Sequence, residues 1–350
     1  MLKNSSRTDS ALSIFVERHK LDTIAYSQSW FDLISQLYGY TFIPLTTHNA
    51  EGEITGFLPL CYMRSPLTGR RLVSLPFSDH CPLLAVDETS ANDLIDQAIA
   101  LAKERKVKYM ELRSGVNEAL VKRLDLMEEN KLYVSWLLPL SSDADSVWSN
   151  LRKPVQHQVK KSQKLGVQVR IAQNREDMGC YYRLHLHTRS KKHGMPAQPR
   201  EYFYGLWDAF AANGSVQLLL AEYEGTVIAG MILLACGSTI RYAYGASDER
   251  YLNLAPNNLL MWTAIKLGCT DGYQTLDMGR TSRGNEGLME FKRRWGAIQE
   301  PLPYYYYPHV AGLASTSEDS WKFRMLTSCW RRLPLPIAGV LGGYLYKHLG

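Results

Sequence analysis

Several features are scarce in this sequence, and each scarcity removes a class of answer. No apolar run approaches the ~20 residues that a membrane-crossing helix needs; the run at 227–236 is ten residues long. The first ten residues are polar, which predicts a chain without a secretory leader, working in the cytoplasm. The six cysteines (Cys61, Cys81, Cys180, Cys236, Cys269 and Cys329) stand singly with no C-x-x-C pair. A disulfide framework is therefore not expected, and a reducing compartment fits better. His185 and His187 lie two apart on a predicted helix and point away from each other, with no Cys or acidic cluster nearby, so no metal site is predicted. Charge of one sign is also short. Forty Lys and Arg against 34 Asp and Glu give +6, which accommodates an anionic partner without demanding one.

What is present is a folded α/β chain. Apolar residues make up 45% and charged residues 21%, a globular balance, and 350 residues are enough for about two domains. The 21 Tyr and 8 Trp suit clefts and contact surfaces as well as core. The chain also repeats itself. Trp30, Phe31, Leu33, Ile34 and Leu37 share one helical face, and β-rich runs follow at 40–47 and 54–63, joined by a turn containing Gly52. A predicted helix at 201–212 likewise precedes strands at 216–223 and 227–236, joined at Glu224-Gly225. Each half then runs through a helix (92–105; 257–269) to a short strand with an acidic residue (109–112; 273–277). Helix, hairpin, helix, strand occurs twice in register, which predicts two facing lobes with a ligand groove between them.

The boundary falls at the Ser/Asp cluster of 141–145, after a strand at 132–140. This gives lobes at 1–145 and 146–310 and a tail at 311–350. Residues 148–166 read as one helix, on which Lys153, His157, Lys160 and Lys164 share a face beside Lys161. That face is either solvated surface or a rail for phosphates or an RNA backbone. Pro154 is tolerated only in a first turn.

Several segments then line up in order. They are Leu75-Pro76-Phe77-Ser78-Asp79-His80, the helix from Leu151-Arg152-Lys153 to Lys164-Leu165-Gly166, Thr188-Arg189 with His193-Gly194-Met195-Pro196, and Tyr242-Ala243-Tyr244-Gly245-Ala246. Ala255-Pro256-Asn257-Asn258, Leu276-Asp277-Met278-Gly279-Arg280 and Phe291-Lys292-Arg293-Arg294-Trp295-Gly296 complete the set. It resembles the FemAB family within the acetyltransferase-like (GNAT) superfamily, most closely members associated with exopolysaccharide and exosortase gene systems. The resemblance implies two tandem GNAT-like lobes with mixed sheets, and transfer of an acyl or aminoacyl group to an amine of a cell-envelope or exopolysaccharide precursor. It implies no permanently bound cofactor; the co-substrate is acyl-CoA or aminoacyl-tRNA, and the acceptor is a small-molecule or lipid-linked precursor. A non-catalytic binding module for a saccharide or lipid-linked carrier is the competing reading.

Transfer to an amine needs a proton removed and a developing oxyanion stabilised. No Ser-His-Asp or Cys-His arrangement is legible, so direct attack in a ternary complex is expected rather than a covalent acyl-enzyme. The resemblance places Lys292 at the acyl centre as a fixed cation; otherwise it belongs to a surface cluster with Arg293 and Arg294. Asp277 either orients or deprotonates the amine, or pairs with Arg280 as support. Asp79 either positions the acceptor or caps a turn. Arg280, Arg152 and Lys153 are candidate substrate contacts, and Arg189 and Tyr244 are pocket residues by resemblance alone. Beyond a Ser/Thr-rich linker at 315–320, residues 321–332 mix aromatics with Lys and Arg, and the stretch 333–346 is uncharged. That tail either touches a membrane surface or packs on a lobe.

Overall fold

The order helix, hairpin, helix, strand is present twice. The computed structural model describes residues 5–19, 23–129, 131–309 and 321–348, with side chains from residue 11 onward and from residue 325 in the last segment. The predicted linker at 315–320 lies outside the described residues. The first half comprises α1 (Ser5–Arg18), α2 (Gln28–Tyr38), β1 (Thr41–His48), β2 (Ile54–Ser65), β3 (Gly69–Val73), β4 (Leu84–Ala85), α3 (Glu88–Glu104), β5 (Tyr109–Leu112), α4 (Glu118–Val121) and β6 (Met127–Glu129). Then come β7 (Tyr133–Pro139), α5 (Ala144–Asn150) and α6 (Lys153–Lys164). The second half opens with β8 (Gln168–Ile171), α7 (Arg175–His187), a π-helical turn (Thr188–Lys192), α8 (Arg200–Phe210), β9 (Val216–Tyr223), β10 (Thr226–Cys236) and β11 (Thr239–Ser247). It continues with α9 (Pro256–Thr270), β12 (Thr275–Asp277), β13 (Thr281–Ser282), α10 (Glu286–Arg294), β14 (Ile298–Pro301) and β15 (Tyr304–Tyr307), and the tail holds α11 (Trp321–Arg332) and α12 (Leu335–Tyr346).

Local chemistry sets these limits. Ser27, Asp87 and Asn174 accept first-turn N–H groups at the starts of α2, α3 and α7, as N-caps do. The single helix expected at 148–166 is two helices. Leu151 and Arg152 are extended (ψ 143° and 138°), and α6 restarts with Pro154 in its first turn, the one place where a residue without an N–H costs no helical bond.

Two mixed sheets result. One runs β1-β2-β3-β5-β15-β6 with β4 beside β2; the other runs β13-β7-β12-β11-β10-β9-β8 with β14 beside β7. Within them β3 pairs parallel with β5, as β11 does with β12. The repeats therefore superpose as β1-β2-β3-β5-β15 and β9-β10-β11-β12-β7. The lobes trade their fifth strands: β7, which precedes the boundary expected at 141–145, pairs antiparallel with β12, and β15 returns from the far end of the chain to pair with β5. Strand patterning identifies such segments but carries no information about which sheet receives them.

The halves also share a core. Trp30, Phe31 and Ile34 of α2 pack in one cluster with Tyr202, Phe203 and Leu206 of α8 and with Leu218, Leu220 and Ile232 of the second sheet. The equivalent helices approach so closely that a Cβ on Gly205 would lie 2.3 Å from Leu33 Cδ1. Separate clusters cover the outer faces, under α3 in one lobe and α9 in the other. A fragment ending at residue 145 should therefore not fold alone. It lacks β15, whose Tyr304, Tyr305 and Tyr306 are all buried, and burying three such rings contributes roughly 5–9 kcal/mol, comparable to the whole stability of a domain. Circular dichroism should show a cooperative melt for the full chain and none for the fragment.

Candidate active site

The site opens where two parallel strands part. β11 and β12 pair only from Thr239 and Thr275 to Arg241 and Asp277. Beyond that, β11 runs on to Ser247 while the chain leaves β12 in a turn at Gly279, whose φ of 75° is open to glycine at little cost. The Gly279 N–H is held by Asp277 Oδ1 at 2.7 Å. A bulge adds to the opening, since Ile232 pairs with Tyr244 but Leu233 pairs with Tyr242, leaving Ala243 over. The extra residue re-phases the strand. Tyr242 packs on the α9 side and Tyr244 in the core shared between the lobes. Arg241 and Tyr244, three apart, both line the cavity.

The cavity holds about 540 Å³. The first lobe contributes Phe77, Ser78 and Asp79 after β3 and Arg113 after β5; the second contributes Arg189, β11, Arg280 and Lys292, and Tyr346 of the tail forms part of the wall. Its lining carries five cations (Arg113, Arg189, Arg241, Arg280, Lys292) and one carboxylate, Asp79. That surplus suits an anionic ligand.

Asp79 ties the lobes together. Its carboxylate pairs with the Arg241 guanidinium, accepts the Arg280 backbone N–H at 2.9 Å, and lies 3.2 Å from Arg280 Nε. Burial alone would raise its pKa, but Arg241 and Arg280 outweigh that and hold it well below the usual carboxylate range. Asp79 is thus a fixed anion and a poor proton acceptor. Arg280 also donates to Tyr304 Oη at 2.8 Å, and Tyr304 Oη donates to the Asp79 carbonyl at 2.8 Å. The exchanged strand β15 thereby props both partners. Asp277 faces Arg241 at 3.5 Å. The pairing expected between Asp277 and Arg280 is therefore replaced by two crossed pairs, Asp277 with Arg241 and Arg280 with Asp79.

Lys292, on α10, is 3% exposed. Its Nζ donates to the carbonyls of Gly279 at 2.8 Å and Arg280 at 3.2 Å, which accounts for two of an ammonium's three N–H groups. Burial lowers its pKa to about 8, against the pull of Asp79 and Asp277. Tyr244 Oη bonds Tyr202 Oη at 2.8 Å, and Arg189 Nε donates to the Pro196 carbonyl at 3.2 Å.

Asp79, Arg189, Tyr244, Arg280 and Lys292 thus meet in one cavity, with Asp277 behind it through Arg241. Arg152 and Lys153 stand elsewhere, on the exposed start of α6, where Arg152 lies 3.4 Å from Glu290 of α10. The basic face of α6 is exposed except for the partly covered Lys161, because Val155, Val159 and Ser162 take the buried side. Arg113, Arg241 and Tyr346 line the cavity and Tyr304 bonds Arg280 and the Asp79 carbonyl behind it, and sequence reading passed over all four. Two signals existed: Arg241 is a lone charge within a β run, and Arg113 follows Glu111 much as Arg280 follows Asp277.

Residues 149–293 match the acetyltransferase (GNAT) domain family. The lipid II:glycine glycyltransferase of Staphylococcus haemolyticus is 34% identical over 97 residues, which is 25% of this chain and 23% of that protein. The chain thus matches about a quarter of the length of such relatives. Among solved structures, that of FemX aligns with a TM-score of 0.70 at 19% identity, covering 89% of this chain and 98% of the other. A tandem GNAT protein from the clavulanic acid biosynthesis pathway aligns at 0.53 and 11% identity over 87% and 96%. Residues 149–293 thus match the GNAT domain family, the chain has the fold of two tandem GNAT-like lobes seen in FemX, and about a quarter of it is similar to lipid II:glycine glycyltransferases.

Proposed function

We propose that the chain is an acyl- or aminoacyltransferase acting on an amine of a cell-envelope precursor, peptidoglycan or exopolysaccharide, at the inner face of the membrane. The observation that carries this reading is the buried Lys292 ammonium in the wall of an inter-lobe cavity. In the reaction the neutral amine attacks the donor's carbonyl carbon, a C–N bond forms, and the C–O or C–S bond to tRNA or CoA breaks. The proton lost from nitrogen goes to the leaving oxygen or sulfur. Negative charge builds on the carbonyl oxygen in between, and a fixed cation in a site shielded from water opposes it. Asp79 holds Arg241 and Arg280 in place and orients the acceptor, and Asp277 supports Arg241. The exposed cations of α6 would hold a polyanionic donor by charge outside the cavity.

Two donors distinguish the routes. Purified protein would be incubated with labelled aminoacyl-tRNA or labelled acyl-CoA and an amine-bearing precursor, nucleotide-linked or lipid-linked. Label should move to the acceptor from one donor class and not the other. Precursor binding that raises the melting temperature, with no transfer from either donor, would replace this reading by the non-catalytic binding module.

A further inference from the structure

The C-terminal helix inverts the usual arrangement of a surface helix, which turns its large apolar residues inward and polar ones to water. In α12 the inward stripe is made of small residues. Ala338 and Gly342, four apart, are buried, and Tyr346 one turn on lines the cavity. The packing is so close that a Cβ on Gly342 would lie 3.0 Å from the Ala197 backbone nitrogen. The large residues Ile337, Val340, Leu341 and Tyr344 form the opposite stripe at helical spacing and face outward, Val340 with 76% of its surface exposed. Met325 and Leu326 of α11, in the same last segment of the chain, are exposed as well.

Charge is concentrated in the same place. From residue 321 onward there are five Lys or Arg (Lys322, Arg324, Arg331, Arg332, Lys347) and no Asp or Glu. The preceding 320 residues carry 35 Lys and Arg against 34 Asp and Glu, so residues 321–350 carry +5 of the net +6, and the whole tail, 311–350, carries +3 because Glu318 and Asp319 precede them. An apolar stripe within an acid-free basic segment matches the two components of an anionic lipid surface. A second copy of the same face would bring cations against cations. At twelve residues, α12 is about 18 Å long, and no helix among the described residues is long and apolar enough to cross a membrane. The helix can lie on a bilayer but cannot span it.

We infer that the outward face of α11 and α12 docks on an anionic bilayer and holds the mouth of the cavity at the membrane. The docking stands apart from the proposed function; only its purpose, delivery of a lipid-linked acceptor, rests on it. The tail is also fastened to the first lobe. Tyr40 Oη donates to the Lys347 carbonyl at 2.6 Å, and Arg71 Nη2 donates to the His348 carbonyl at 2.8 Å. Its inner stripe seats on the second lobe. Docking would therefore orient the whole site and not merely tether it.

Sedimentation of the full chain with vesicles tests this. Binding is expected to vesicles containing about a third phosphatidylglycerol at low salt, and to be at least about tenfold weaker with phosphatidylcholine alone or in high salt. The double variant Val340→Glu/Leu341→Gln should lose about tenfold or more with an unchanged melting temperature, because both side chains face water. Arg331→Gln and Arg332→Gln should each cost about fivefold, on anionic vesicles only. No binding, or equal binding by the double variant, would overturn the inference. So would a dimer in solution that the double variant dissolves without any effect of lipid. Vesicle binding without transfer activity would remove the proposed function and leave the docking face; transfer to a soluble acceptor without vesicle binding would do the reverse.

Discussion

Replacing Lys292 by Met should lower kcat about 10²- to 10³-fold, the scale on which removing one preorganised donor to an oxyanion acts. Stability should hold or rise. The ammonium is buried, and burial lowers its pKa to about 8, so keeping it charged in the fold is itself destabilising at neutral pH. An apolar side chain of similar length relieves that cost, although the carbonyls of Gly279 and Arg280 lose a donor. A transfer assay with a thermal melt on the same sample separates the two effects. A merely structural lysine would show the opposite pattern, with activity retained and a lowered melting temperature.

The second large effect falls on stability. Asp79→Asn leaves Arg241 and Arg280 facing each other without the carboxylate that both contact. Breaking a buried ion pair costs about 3–5 kcal/mol. The low end, about 3 kcal/mol, applies here because Asp79 and its partners keep 19–32% of their side-chain exposure. Denaturant melts of the two proteins at pH 7 measure the difference. The gap has a predictable pH dependence. The folded-state pKa of Asp79 lies below its value in the unfolded chain, so its contribution is complete above about pH 4 and is lost as pH falls further. The two proteins should therefore converge in acid. A gap that persists there would assign the damage to lost hydrogen bonds rather than charge. Because Asp79 belongs to one lobe and both arginines to the other, the variant should also loosen the cavity and reduce transfer.

Much of this fold was legible because its signals are local. The strands at 109–112 and 216–223 occur where the repeated element order put them, and the hairpin glycines Gly52 and Gly225 both adopt positive φ, at 83° and 73°. Duplication was legible for the same reason, since element order survives in sequence. The exchange of β7 and β15 was not. A buried strand such as Tyr304–Tyr307 looks the same whichever sheet it joins, and its partner β5 lies nearly two hundred residues upstream. The site divides along the same line. Lys292, Asp79 and Arg280 sit in short motifs that could be matched. Arg241 and Tyr304 matter through contacts with Asp79 and Arg280, and such contacts leave no local pattern. Arg152 and Lys153 show the converse, because a basic helical face is legible but its distance from a cavity is not.

The pH dependence of single-turnover transfer examines the role of Lys292 most directly. With a pKa of about 8 in the fold and ~10.4 in the unfolded chain, this group favours the folded state increasingly as pH rises between those values. Loss of activity there cannot be ascribed to its effect on folding. If the ammonium opposes charge at the acyl oxygen, the rate should fall with one proton's dependence near pH 8 in the native protein. That fall should be absent from Lys292→Arg, whose guanidinium stays charged. A rate that rises through pH 8, or the same fall in both proteins, would contradict a catalytic cation at this position.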